Sequence, residues 1–228
     1  QLGGTFESKF YNLQIDGYSG ISGNMWARCE FSNIEINANR NLVDWGYGSH
    51  NSKLKNIKYT FLKSPNTDIP KAFIYFSESS HDIEMEDIQA SGNWNGSNIL
   101  LIGNGAKGLI MKNADIDFSN LNNPNFGINI ADQNNKVYSS DVLLENVKIK
   151  VNKIKKFIRC SGANTMVNRN IQLNNVEFSD ATNSLSEDDF VVSNMKGVHF
   201  KDVYSQKRKL NISDVTTLKI KQDLNKQK

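Results

Sequence analysis

Glu78 and Asp132 are the two side chains with which this sequence could do acid–base chemistry. Each follows a short apolar segment of a recurring unit, in the column that Tyr47 and Asn104 occupy in other units. At the spacing of stacked β-strands, about 4.8 Å, two rungs would put the carboxyl groups about 9.6 Å apart. Inverting glycoside hydrolysis uses carboxyl groups about 6.5–9.5 Å apart, one protonating the leaving oxygen and the other activating a water. In that assignment Glu78, beside Tyr75, is the acid and Asp132 the base, with Asp44, Asp82 and His81 as further candidates. A saccharide also needs aromatic faces and planar polar groups. Tyr47, Tyr75 and Trp94 offer the first, Asn104 and Asn129 the second. The same carboxylates equally suit solvated turns, where Asp and Glu collect.

The elements that must position these residues show most plainly in Val142–Ile149, where apolar and polar residues alternate, an Asn interrupts, and the alternation resumes. Period two means a strand on each side of a tight turn. The pattern recurs at Cys29–Ile36, Ile83–Ala90, Leu109–Ile116, Ile171–Phe178 and Val198–Ser205, and more loosely at Phe10–Ile15 and Leu54–Tyr59. Its central residues are Asn12, Asn33, Asn56, Asp87, Asn113, Asn146, Asn175 and Asp202, spaced by 21, 23, 31, 26, 33, 29 and 27. Units of this length mark a stacked architecture, and the ragged spacing marks inserted loops. A third apolar segment precedes each pair, at 41–45, 72–76, 98–102, 127–130, 157–160 and 190–192. Three strands per unit predict a triangular coil, and eight to nine such coils a rod of roughly 40 Å. Stacked Asn side chains should bond to one another and to backbone; Asp87 and Asp202 cannot donate and should lean on backbone N–H groups.

Composition narrows the rest. The 228 residues include 32 Asn and only 3 Pro, which suits tight turns and left-handed positions rather than helix. The net charge of +3 is scattered, which argues against a nucleic-acid binder, and no apolar run is long enough to span a membrane. Cys29 and Cys160 fall about four coils apart, beyond disulfide reach, and form no metal cluster; no metal site or cofactor is expected. His50 and His81 share a position six residues before their central Asn or Asp and should lie one rung apart. Gly103–Gly108 fits GxGxxG, yet a strand pair follows it where a phosphate-binding turn needs a helix, so it reads as a turn.

The repeat and its Asn column resemble the right-handed parallel β-helices of the pectate-lyase-like superfamily over about residues 8–205. The resemblance implies an all-β, single-stranded parallel β-helix as one domain across 1–228, with 206–228 as a last coil and frayed tail, including a ninth strand at 218–221. The opening at Gln1 suggests a piece of a longer chain. Low Pro and high Asn resemble a phage tailspike or baseplate spike. That implies a virion-borne or extracellular protein that binds a bacterial surface polysaccharide, with or without cleaving it as a hydrolase or lyase. The paired Asp-Asp with Gly-His-Gly and the Arg-x-Pro-x-x-Arg signatures of pectate lyases and polygalacturonases are missing. The alternative is a non-catalytic structural or receptor-binding segment. Leu42, Phe73, Tyr75, Ile99, Leu101 and Phe157 form an apolar stripe on the third strands, to be covered either by loops or by other subunits. The tailspike resemblance implies a homotrimer.

Overall fold

The computed structural model describes residues 5–62, 70–77, 79–122, 125–132, 138–162, 167–180, 188–205 and 208–221. Every regular element among them is a strand. Successive coils pair parallel in the register the repeat implies, with Ile83, Leu109, Val142, Ile171 and Val198 in one column. The chain is a parallel β-helix.

Each Asn or Asp corner is a single residue. All eight hold φ between 52° and 57°, the left-handed region that Asn and Asp tolerate and other side-chain-bearing residues resist. One such residue turns the chain without ending the strand, so His50–Phe61 and Ser140–Lys153 each cover two faces. The faces join in one continuous sheet of 17 strands. The corner amides form a directional ladder: Asn33 donates to Asn12 at 3.1 Å, Asn56 to Asn33 at 2.8 Å, Asn113 to Asp87 at 3.2 Å, Asn146 to Asn113 at 3.1 Å and Asn175 to Asn146 at 2.8 Å. These amides are exposed, so the ladder aligns coils and satisfies no buried group. Asp87 and Asp202 depart from expectation, because their carboxylates take the Asn113 amide and the Lys209 ammonium (2.6 Å) rather than backbone N–H groups.

A second left-handed column lies five residues earlier, at Glu7, Arg28, Asn51, Asp82, Gly108, Asp141, Asn170 and Gly197, with φ from 48° to 69°. The two corners bracket a four-residue strand, the first face of the prism. Inside, Val43, Ile74, Leu100, Ile128, Ile158 and Phe190 stack in one column of the third face, and Trp45, Phe76, Ile102, Ile130, Cys160 and Val192 in the next. Both cysteines are buried and unbridged, as the coil register requires, and burial pushes the Cys160 thiol up to about 12.

Five of the six residues of the apolar stripe are closed within one chain, and Tyr75 is half-buried on the outer third face. Leu42, Phe73, Ile99 and Phe157 are fully buried and Leu101 is 7% exposed. Phe73 enters from the corner and meets Tyr59, Phe118 and Trp94 at ring distances of 5.0, 5.0 and 5.7 Å. Those five residues therefore present no apolar surface to another subunit. The strand foreseen at 218–221 exists, but in the opposite direction. Arg208–Lys221 returns antiparallel along Asp188–Ser205 and covers the last coil instead of opening another. At the other end Leu13 is exposed beside a cavity of about 680 Å³ lined also by Phe10, Trp26 and Phe31.

The corner makes a testable claim. Asn146→Ala should destabilise the fold by about 1–2 kcal/mol, the cost of a left-handed Cβ residue, and Asn146→Gly by less. Asp87→Asn restores a donor facing Asn56 and should add about 0.5–1 kcal/mol. Urea unfolding midpoints measure all three.

Candidate functional site

The residues singled out from sequence fall in four places. Asp44 and Tyr75 are register partners on the outer third face, where the Lys71 ammonium lies 4.6 Å over the Tyr75 ring and donates to its hydroxyl at 3.1 Å. Tyr47, His81, Asp82 and Asn104 gather at the corner between third and first faces; Tyr47 is 63% exposed, and Tyr47 and Asn104 are left-handed. Asn104 and the glycines of Gly103–Gly108 make the turn expected of them, with φ of 52° at Asn104, 84° at Gly105 and 64° at Gly108. Glu78 lies outside the described residues.

The side chains of Trp94, Asn129 and Asp132 are all buried, Asn129 on the outer side of the third face in register with Leu101 and Arg159. Trp94 is fully buried between Phe61, Phe73 and Phe118, so it gives no face to a sugar. Asn129 is 6% exposed and donates to Asn98, whose own amide donates to the Lys71 carbonyl. Asp132 is the clearest correction. Its side chain is wholly enclosed, 2.9 Å from the equally enclosed Arg169 guanidinium, and accepts the Ser139 N–H at 2.8 Å. Burial pushes its carboxyl above the ordinary range, while Ser139 and Arg169 pull it back. Tyr138 lies across the pair, its ring 4.6 Å from Arg169 and 4.5 Å from Lys107. A carboxylate so enclosed cannot activate a water on a bound glycan.

The feature that sequence reading missed is a groove of about 430 Å³ on the first face. Charges alternate along this face from coil to coil: Lys53 meets Glu84 at 2.7 Å, Lys55 meets Glu86 at 2.9 Å and Lys112 meets Glu145 at 3.4 Å. In the column that runs Lys9, Glu30, Lys53, Glu84, the alternation then ends: Ile110 and Leu143, which are register partners, come next, followed by the uncharged Gln172. Ile110 and Leu143 floor the groove, and the second left-handed column walls it with Asp82, Gly108, Asp141 and Asn170. Gly108 holds its φ of +64° without strain, and a Cβ there would lie 2.5 Å from Asp82 Oδ1. It leaves a notch between two exposed carboxylates. The far rim is wired: Gln172 donates to Asn170 at 2.9 Å, and Asn170 to Asp141 at 3.0 Å. Of the residues singled out from sequence, only Asp82 lies on this groove. The break in the Lys and Glu alternation was the signal for the rest.

Comparison with family models, with curated proteins and with solved structures finds no match, so function is argued from this geometry alone.

Removing one partner of a buried pair strands the other charge, at a cost of about 3–5 kcal/mol. Asp132→Ala should therefore lower the thermal midpoint strongly, and the double variant Asp132→Ala, Arg169→Met should recover much of the loss. A catalytic base would have left stability untouched.

Proposed function

We propose that this chain is a rigid polysaccharide-binding rod of the tailspike kind, acting outside a cell or on a virion, and that it holds a bacterial surface glycan in the first-face groove. The observation that supports it is the replacement of a charged column by an aliphatic floor between carboxylate and amide rims. Aliphatic floors take the C–H faces of sugar rings, and planar carboxylates and amides take hydroxyl pairs. The floor residues sit on strands paired to the coils on both sides, so little ordering accompanies binding.

Binding without cleavage is the reading the carboxylates favour. Asp132 is committed to Arg169, and Asp141 already accepts from Ser140 at 2.7 Å and from Asn170. The homotrimer implied by the tailspike resemblance would assemble through a surface other than the buried stripe.

Ile110→Lys continues the alternation opposite Glu84 and fills the groove without disturbing the core. On purified capsule or teichoic acid, in the presence of EDTA, this variant should lose at least about tenfold in affinity while unfolding like the parent. No new reducing ends should form with either protein. Unchanged binding by the variant would refute the groove, and new reducing ends would refute binding without cleavage.

A further inference from the structure

We propose that His50 and His81 form a surface site for one divalent transition-metal ion of the zinc, nickel and copper class. The two residues are register partners on adjacent coils, and their rings stack 5.0 Å apart at an interplanar angle of 12°. His50 Nδ1 lies 2.7 Å from the Gly48 carbonyl oxygen and His81 Nδ1 lies 2.8 Å from Asp82 Oδ2. Both oxygens only accept, so each Nδ1 carries a proton, and in the neutral ring the lone pair is on Nε2. In both rings Nε2 is at the tip, away from the backbone.

This is the arrangement that metal-ligating histidines have. The ligand nitrogen is free, while the other ring nitrogen donates to a carbonyl or carboxylate that fixes tautomer and orientation. Imidazole nitrogens select zinc, copper and nickel over magnesium and calcium, which take oxygen donors. Zn–N bonds of about 2.0–2.1 Å need the two tips to close to about 3.3 Å in a tetrahedral site. The stack holds the two in-plane Nε2 lone pairs nearly parallel, so one ring must rotate out of it for both to meet one ion. The His81 side chain, 45% exposed, has room for that rotation about its bond to the backbone. Among the described residues no group of three or more His, Cys, Asp or Glu converges, so the pair supplies two ligands and water the remainder. The ion would clamp the coils of Asn56 and Asp87 together.

Calorimetric titration of the 228-residue chain with zinc chloride, and separately with nickel chloride, should show one ion bound per chain and no heat with magnesium. His50→Ala and His81→Ala should each abolish binding, and Asp82→Asn should weaken it about 10–100-fold by removing the partner of the His81 Nδ1 proton. Circular dichroism should be unchanged in all three. Zinc should raise the thermal midpoint of the parent and of Ile110→Lys alike, which separates this site from the glycan groove. No binding at millimolar zinc, or a full equivalent still bound by the double variant His50→Ala, His81→Ala, would overturn the proposal.

Discussion

A left-handed turn one residue long is the constraint on which the whole molecule depends. A longer turn would free the backbone groups of each coil from the coil beneath, whereas a single residue near φ of 55° swings the chain to the next face with its pairing intact. Two such corners per coil bracket the first face, and that fixes which side chains stand outside it in straight columns. Everything displayed there follows from the stacking: the alternating Lys and Glu ladder, the histidine stack and the groove floored by Ile110 and Leu143.

Registers could be read from the sequence because the alternation has period two on both sides of a recurring Asn, and a slip by one residue would turn the apolar set outward. That is why Asn12 to Asp202, the pairing of His50 with His81 and the separation of the cysteines were all legible. Parity failed where the chain turns into the third face. Leu42 and Phe73 precede the regular strand, so counting alternate residues back through the bend assigns them to the outside when they point into the core. Trp94 failed for a related reason, since the segment after Gly92 dips inward and the indole fills the corner beside Phe118.

Asp132 shows a different limit. Its partner Arg169 is 37 positions away in a later coil, and nothing local marks the pair. An acidic residue after an apolar strand looks the same whether it faces solvent or a buried guanidinium. The groove was hidden for the opposite reason. Ile110 and Leu143 look like ordinary strand residues, and only their alignment with Lys53 and Glu84 shows that an apolar pair stands where charge is the rule.

The ladder's direction locates the breaks in it. Each corner amide donates towards the first coil, so a carboxylate in the column ends one run and starts another. Asp202 leaves a rung missing beyond Asn175, and Asp87 divides Asn12, Asn33 and Asn56 from Asn113, Asn146 and Asn175, with the internal missing rung between the coils of Asn56 and Asp87. Other cross-coil contacts concentrate at that junction: Lys53 with Glu84, Lys55 with Glu86, and His50 stacked on His81. Exposed ion pairs of this kind are weak and weaken further with salt. Ion pairs also cross amide-linked junctions, as Lys58 with Glu35 and Lys112 with Glu145 do, but there a corner amide remains when salt screens the charges, whereas between Asn56 and Asp87 no corner amide backs them.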